Sequence, residues 1–161
     1  MRTHRLETET WLPRPLEEVF EFFSDAKNLE SITPPSVNFR ITQLPETIEQ
    51  GTLIDYRIRI RGIPVRWRTK IHRWEPPHRF TDAQLKGPYR LWYHEHRFES
   101  ADGGTQMYDR VLYRVPGGLL EPWIHRAFVK DELRKIFEYR SESIQQLLGA
   151  GEGRRAEVRF S

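Results

Sequence analysis

Two histidines two positions apart, His94 and His96, are the residues whose types and spacing most suggest chemistry in this chain of 161 residues. They occur in the segment RLWYHEHRFES (90–100), which has the character of a β-strand. Side chains two positions apart share one face of a strand, so both imidazoles should point the same way, together with Trp92 and Phe98. Imidazoles in this position can be hydrogen-bonding core groups, metal ligands, acid–base catalysts or the polar part of a ligand site.

A carboxylate, Asp109, is predicted to lie opposite one of these histidines. The segment ADGG (101–104) has the composition of a tight β-hairpin turn. If the loop is centred on residues 102–103, the pairing of the two flanking strands is fixed. The predicted cross-strand neighbours are Phe98 with Met107, His96 with Asp109, His94 with Val111, and Trp92 with Tyr113. The apolar residues of the second strand share a face with Asp109, which supports this register.

Three interpretations of this group stay open at the level of sequence. His96 and Asp109 can be a structural pair, since buried polar groups are normally hydrogen-bonded. They can be a catalytic acid–base pair, because a neighbouring carboxylate raises the pKa of an imidazole and fixes its tautomer. Together with His94 they also match the ligand types of a divalent metal site. A His-x-His pattern alone is weak evidence, so we assign no metal ligand and no cofactor.

The elements that position these side chains are predicted from periodicity. Residues 4–12 alternate as a first strand. An amphipathic helix follows, with an apolar stripe formed by Leu16, Val19, Phe20 and Phe23. A second short helix ends before the prolines at 34–35, because the residue before a proline avoids the helical conformation. Six strand-like segments come next, and residues 123–148 carry apolar side chains at helical spacing.

This order predicts an α+β fold in which a curved antiparallel sheet of about seven strands wraps on one long C-terminal helix, with two short helices after the first strand. A twisted sheet leaves space between itself and such a helix. The inner sheet face is too polar for a dry core, because a buried unpaired polar group costs about 1–3 kcal/mol. We therefore predict an aromatic-lined ligand cavity.

The predicted site residues follow from the inner face of that sheet. His96 and Asp109 are the candidate catalytic pair. The candidate ligand-binding residues are Tyr56, Trp67, Phe80, Asp82, Gln84, Trp92, His94, Phe98, Met107 and Tyr113.

The length and composition of the chain exclude several classes of protein. A chain of this length without cysteine can fold as one domain, with neither disulfides nor thiolate metal sites. We expect one ligand-binding domain over 1–150 and a flexible tail over 151–161. No apolar run approaches the roughly 18 residues of a membrane span, and the N-terminus lacks the apolar core of a signal peptide. We expect a cytoplasmic protein without membrane insertion, and whether it forms a homodimer stays open.

The outer face of the sheet is predicted to be basic, in a chain with a formal charge of +3. Across the turn at 62–64, one strand should place its cations opposite those of the next: Arg57, Arg59 and Arg61 against Arg66, Arg68 and Lys70. Like charges in cross-strand positions are destabilising, so solvent and nearby carboxylates, or an anionic partner, must compensate. No motif for sequence-specific nucleic-acid recognition is present.

These segments also carry a resemblance to a known superfamily. ITPPSVNFRI, KGPYRLWYHEHRFE and GTQMYDRVLYRVPGG, followed by a long helix, resemble the START-like, Bet v 1-like helix-grip superfamily, also called SRPBCC. The resemblance spans about residues 3–148 and is to its bacterial single-domain polyketide cyclase/dehydrase-like members in particular. It implies the helix-grip fold and an internal ligand cavity.

We therefore predict that the chain binds a hydrophobic or aromatic small molecule, such as a polyketide, quinone or lipid. A cyclase- or dehydratase-like activity, that of a lyase or isomerase, stays open, with Asp82 and His94 assisting His96 and Asp109. The alternative is a non-catalytic interaction module whose basic sheet face binds an anionic partner, such as ribosomal RNA or a lipid surface.

Overall fold

A computed structural model describes residues 1–149 and 156–161, and within them it shows one antiparallel sheet of eight strands. The strands are β1 His4–Leu12, β2 Arg40–Gln43, β3 Leu53–Ile60, β4 Ile63–Glu75, β5 Arg79–Lys86, β6 Leu91–Ala101, β7 Gly104–Arg114 and β8 Arg159–Phe160. Their order across the sheet is β2-β3-β4-β5-β6-β7-β1-β8. Because β2 to β7 follow one another as neighbours, each connection between them has only to reverse the chain direction.

Short helices follow β1, and a long helical segment follows β7, so the predicted α+β architecture is confirmed. The first two helices are α1 (Leu16–Ser24) and α2 (Asn28–Ser31). The C-terminal segment consists of α3 (Glu121–Ile124), a π-helical stretch (His125–Val129) and α4 (Lys130–Leu148). None of the described helices combines the length and hydropathy that a membrane-crossing helix requires.

The helix α4 covers the inner face of the sheet through two apolar clusters. One cluster joins α1 and the C-terminal half of α4 to the sheet and includes Phe20, Phe23, Phe98, Met107, Ile144 and Leu148. The other joins the N-terminal half of α4 to the sheet and includes Leu6, Val111, Tyr113, Leu133 and Phe137. Full burial of one such side chain contributes about 1.5–3 kcal/mol, so the two clusters together fix the helix on the sheet.

The C-terminal residues form an edge strand where a flexible tail was expected. Residues 150–155 lie outside the described part of the chain, but β8 pairs antiparallel with β1. Val158 is buried in the second apolar cluster, and the guanidinium of Arg134 lies 5.1 Å from the ring centroid of Phe160. The alternating apolar residues 158 and 160 are therefore the reason for an eighth strand beyond the predicted seven.

The predicted register of the hairpin between β6 and β7 is confirmed. The observed partners are Phe98 with Met107, His96 with Asp109, His94 with Val111, and Trp92 with Tyr113. Asp102 and Gly103 form the turn with φ of 50° and 75°. Positive φ at both central residues is the conformation that a two-residue hairpin of type I′ requires, and asparagine, aspartate and glycine adopt it most readily.

The outer face of the sheet is only partly as predicted. Arg57 lies opposite Arg66, as expected, but Arg68 lies opposite Asp55. Two hydrogen bonds, from Nε and Nη2 of Arg68 to the carboxylate of Asp55, measure 2.7 and 2.9 Å. The turn is formed by residues 61–62, both with positive φ, and not by residues 62–64. This shift of the turn moves a carboxylate opposite one of the arginines.

Candidate functional site: a cavity with a polar wall

A cavity of about 450 Å³ lies between the inner face of the sheet and the helices. Its walls come from α1, α2, the strands β3 to β6, the π-helical stretch and α4, and most of the lining side chains are aromatic or aliphatic. Small-molecule sites are typically mostly apolar clefts of about 300–1,000 Å³ with a few polar groups. The size and lining of this cavity are those of such a site.

Several side chains predicted on the cavity wall reach it, namely Tyr56, Trp67, Phe80, Asp82, Trp92, His94 and His96. They come from four adjacent strands, β3 to β6, because alternate residues of each strand point to the same face of the sheet. The aromatic members contact one another: Tyr56 stacks on Trp67 with centroids 5.7 Å apart, and Trp92 meets Trp67 edge-on at 5.4 Å. Tyr56, Trp67 and Trp92 thus form a continuous aromatic surface on one side of the cavity.

The other predicted residues do not line the cavity, namely Gln84, Phe98, Met107, Asp109 and Tyr113. Gln84 donates from Nε2 to the carbonyl oxygen of Tyr89 at 2.7 Å and accepts from its backbone N–H at 3.2 Å. It therefore orders the connection between β5 and β6. Tyr113 is fully buried, and its hydroxyl lies 2.8 Å from Nε2 of His125. These two polar side chains are hydrogen-bonded within the protein and do not border the cavity.

Phe98 and Met107 belong to the core beneath the cavity. Both are almost completely buried, and they pack in the cluster with α1 and α4. The ring centroid of Phe98 lies 5.6 Å from that of Phe20 and 5.5 Å from that of Phe23. Alternation along the strand correctly predicts the face of the sheet on which these residues lie. Helix α1 packs over that end of the sheet, so the two residues do not reach the cavity.

Replacement of Met107 by alanine is expected to lower the free energy of unfolding by about 2–5 kcal/mol, because it empties a packed site. The affinity of the cavity for an aromatic probe, 2-acetylnaphthalene, should not change, because Met107 does not line the cavity. Urea denaturation and calorimetric titration measure the two quantities. Loss of affinity without loss of stability would contradict the assignment of Met107 to the core.

The polar residues of the inner face form one cluster. Nε2 of His94 lies 3.0 Å from Oδ1 of Asp109, and Nδ1 of His96 lies 3.0 Å from the same oxygen. Nε2 of His96 lies 2.9 Å from Oδ2 of Asp82. The two imidazoles and Asp82 line the cavity, whereas Asp109 lies behind them. The predicted contact between His96 and Asp109 is thus part of a larger network in which Asp109 orients both rings.

Arg140 of α4 completes this cluster and is the main site residue that sequence reasoning missed. Its Nε lies 3.5 Å from Oδ2 of Asp109, and its Nη2 lies 3.5 Å from Nδ1 of His96. Its side chain is only 10% exposed. The sequence does indicate that Arg140 is buried, because it stands three residues after Phe137 and four before Ile144, on the apolar stripe of the helix. A charged residue on such a stripe is rarely buried unless it is paired.

The surroundings of the two histidines shift their pKa values in opposite directions. Burial raises the pKa of Asp109, but the Arg140 guanidinium and both imidazoles outweigh it and hold that pKa well below its ordinary value. Burial and the charge of His96 together lower the pKa of His94. Burial also lowers the pKa of His96, but hydrogen bonds to Asp109 and Asp82 outweigh it and raise that pKa. Of the two imidazoles, His96 therefore holds a second proton to the higher pH.

A buried donor on the cavity wall lacks a hydrogen-bond partner. The ring of Trp67 is 6% exposed and lines the cavity, and its Nε1 makes no hydrogen bond with any described residue. Leaving such a donor unpaired costs about 1–3 kcal/mol. An acceptor atom on a bound molecule would satisfy it.

Exposed residues of the lining show where the cavity opens. Arg59 and Arg61, at the end of β3, are exposed, and Phe128 in the π-helical stretch is 37% exposed. The guanidinium of Arg61 lies 4.6 Å from the ring centroid of Phe128. The opening thus lies between the turn that joins β3 to β4 and the helical segment. Single-turn π-helical stretches within longer helices are frequent at functional sites.

An antiparallel sheet packed on one long helix, with a cavity between them, defines the helix-grip class of proteins. The chain belongs to the family described as polyketide cyclase / dehydrase and lipid transport, whose model matches residues 12–149. The resemblance to the START-like, Bet v 1-like superfamily is thereby confirmed. No curated protein sequence matches the chain significantly.

Solved structures share this fold over most of their length. The Zhui aromatase/cyclase from Streptomyces sp. R1128 is 17% identical with a TM-score of 0.64, over 93% of this chain and 99% of that one. Protein CV1439 from Chromobacterium violaceum is 13% identical with a TM-score of 0.69, over 91% and 98%. Protein Ms6760 from Mycobacterium smegmatis is 16% identical with a TM-score of 0.66, over 92% of each chain. At these identities the likeness shows the fold, which does not determine the function.

Proposed function

We propose that the protein binds a hydrophobic or aromatic small molecule in the cavity, with a carbonyl or similar acceptor group directed to the polar wall. Membership of the polyketide cyclase and lipid transport family supports a hydrophobic ligand or a cyclase-like role. The observation that carries the proposal is a cavity of about 450 Å³ with a mostly apolar lining and a buried polar cluster on its sheet wall. Polyketides, quinones and oxygenated lipids combine these two kinds of surface.

The polar wall offers both donors and acceptors to such a molecule. The indole N–H of Trp67 has no hydrogen-bond partner among the described residues, and His94, His96 and Asp82 border the cavity. A ligand oxygen that accepts from Trp67 would remove the cost of an unpaired buried donor. Aromatic rings beside these groups give a flat ligand the stacking contacts that fix its orientation.

We further propose that this wall can transfer protons, as cyclisation or dehydration requires. A carbon next to a ligand carbonyl would lose its proton to a cavity-lining imidazole, and the enolate would attack a second carbonyl carbon of the same molecule. The alkoxide formed there would take up the proton, so that acid and base are regenerated. His96 is the proposed proton carrier, with Asp109 fixing its orientation and with His94 and Asp82 assisting. A positioned acid or base contributes typically about 10²–10⁴-fold to the rate.

Native mass spectrometry of the protein purified gently from its own host tests whether the cavity carries a ligand. The expected result is an adduct whose mass matches a hydrophobic, oxygen-containing molecule and which is lost on unfolding. An unliganded chain that no member of a hydrophobic ligand library stabilises in thermal denaturation would overturn the proposal.

Replacement of Trp67 by phenylalanine is expected to distinguish the contribution of its indole N–H to ligand binding from that of its aromatic ring. Two probes that differ only in the carbonyl, 2-acetylnaphthalene and 2-ethylnaphthalene, serve as ligands in calorimetric titrations. Loss of one hydrogen bond should weaken binding of the ketone by about fivefold relative to the hydrocarbon, since such a bond contributes about 1 kcal/mol. Equal losses for both probes would show that Trp67 provides packing alone.

A row of arginines favours a second candidate function, the binding of an anionic partner by the outer sheet face. Arg57 lies directly between Arg40 on β2 and Arg66 on β4. All three are exposed, and none forms an ion pair within residues 1–149 and 156–161. Charge reversal at Arg57 and Arg66 tests this function: it should abolish co-sedimentation with anionic vesicles or ribosomal RNA while leaving 2-acetylnaphthalene binding intact. Co-sedimentation that is absent in the parent protein, or that survives the reversal, would exclude it.

A further inference from the structure

We propose that Asp82, His94 and His96 form a binding site for a divalent first-row transition metal on the cavity wall, with Asp109 as the residue that orients both imidazoles. Two imidazoles and one carboxylate are among the commonest ligand sets for zinc and for other first-row divalent ions. The binding of the ion does not depend on the proposed binding of a hydrophobic ligand, but it excludes the proposed proton-carrier role of His96. Only the role of the ion toward an organic ligand rests on the proposed function.

The three ligand groups already converge. Oδ2 of Asp82 lies 2.9 Å from Nε2 of His96 and 4.0 Å from Nδ1 of His94. Each of the three residues offers one ligand atom, and these atoms all lie within 4.8 Å of one another. Metal–nitrogen and metal–oxygen bonds of about 2.0–2.2 Å in a tetrahedral site separate ligand atoms by roughly 3.3 Å. Changes of at most about 1.5 Å in the separations of these atoms, which side-chain rotation can provide, would therefore close the ligand set around an ion.

Asp109 gives both imidazoles the tautomer that such a site needs. Its Oδ1 lies 3.0 Å from Nε2 of His94 and 3.0 Å from Nδ1 of His96. If each of these nitrogens donates its N–H to the carboxylate, the opposite nitrogens, Nδ1 of His94 and Nε2 of His96, are left with lone pairs. These two nitrogens are the ones that approach Asp82. Carboxylates in this position behind metal-bound histidines fix the ring orientation and increase the basicity of the ligand.

Charge and position also favour an ion here. Asp82 and Asp109 carry two negative charges, and Arg140, which also lines the cavity, brings one positive charge, with its Nε 3.5 Å from Oδ2 of Asp109. With both imidazoles neutral, the cluster needs one more cation near Asp82. All three proposed ligands line the cavity. A bound ion would thus keep at least one coordination position open toward a ligand, as catalytic zinc sites do.

An ion at this position would change how a bound carbonyl is activated. It would polarise the carbonyl oxygen as a Lewis acid. Nε2 of His96 cannot bind the ion and carry a proton at the same time. The metal site and the proton-carrier role of His96 are therefore alternatives, and a metal titration decides between them.

Titration of the chelator-treated protein with Co²⁺, followed by visible absorption, tests the site, with Zn²⁺ competition to confirm it. The expected result is one ion per chain with the intense d–d bands of a four- or five-coordinate cobalt that Zn²⁺ removes. His94→Ala and Asp82→Asn should abolish these bands. Asp109→Asn should preserve the stoichiometry but weaken binding by about 10–100-fold. His72→Ala, which removes an exposed histidine of β4, should change nothing.

Two outcomes would overturn the proposal. One is the absence of cobalt bands in folded, chelator-treated protein. The other is binding that persists unchanged in His94→Ala, which would show that the ion occupies another place. Circular dichroism establishes that each variant is folded, and Asp82→Asn provides the test if His94→Ala is not. Binding of 2-acetylnaphthalene to the metal-free protein is measured separately, so a failure of the metal site is distinguishable from a failure of the ligand cavity.

Discussion

Replacement of Ile136 by tryptophan is expected to weaken binding of 2-acetylnaphthalene by at least about 100-fold, which corresponds to about 2.7 kcal/mol. Ile136 is a partly buried residue of α4 that lines the cavity. The larger indole would occupy part of a space of about 450 Å³ that a bicyclic ligand needs. Calorimetric titration measures the change in affinity.

The matched control is replacement of Tyr139 by tryptophan. Tyr139 is also a partly buried residue of α4, but it does not line the cavity. This variant should bind the probe as the parent does. If both variants bind like the parent, or if both lose binding equally, the cavity is not where the probe resides.

Replacement of Asp109 by alanine is expected to lower the free energy of unfolding by about 3–5 kcal/mol, because removing one partner leaves buried charge uncompensated. Asp109 is 4% exposed. Its oxygens lie 3.0 Å from a nitrogen of His94, 3.0 Å from one of His96 and 3.5 Å from Nε of Arg140. Without the carboxylate, Arg140 would be a buried cation without its counter-ion. Urea denaturation measures the loss.

Replacement of Asp55 by alanine is the control for this effect. Asp55 also pairs with an arginine, Arg68, but on the outer face of the sheet. Exposed ion pairs contribute little because water and salt screen them, so this variant should be nearly as stable as the parent. Equal stability losses in the two variants would contradict the assignment of Asp109 to a buried, structurally coupled cluster.

The order of elements and the register of the central hairpin were predictable from sequence because both depend on local patterns. The alternation along β6 and β7 gives the face of each side chain, and the turn at Asp102 and Gly103 gives the pairing. Positive φ at two consecutive positions is accessible to few residue types, so the sequence ADGG left little choice of turn. Hence the contact between His96 and Asp109 could be expected before any coordinates.

The limits of the cavity were not predictable in the same way. Membership of the inner sheet face did not distinguish Trp67, which lines the cavity, from Phe98, which α1 covers. That distinction depends on where the helices cross the sheet, which is a property of tertiary packing. The role of Gln84 likewise depends on the path of a loop, since it bonds the backbone of Tyr89.

Apolar spacing alone does not predict the contribution of the C-terminal helix to the site. Arg140 occupies a position of the apolar stripe that faces the sheet, and the buried carboxylate of Asp109 on β7 is what it meets there. Each residue by itself violates the rule that charged groups stay exposed. Their burial is explained by their pairing, because buried charges are normally paired. A charged residue on each of two predicted inner faces is thus a signal for a buried pair.

The most direct test of ligand binding in the cavity is a titration of isotope-labelled protein with 2-acetylnaphthalene, followed through the indole N–H resonances of its five tryptophans. Trp67, Trp74 and Trp92 line the cavity, whereas Trp11 and Trp123 do not and are exposed. The resonances of the first three should shift together in a saturable manner, and that of Trp67 should shift most, because its N–H gains a hydrogen bond. Unchanged resonances of all three, or shifts confined to Trp11 and Trp123, would contradict ligand binding in the cavity.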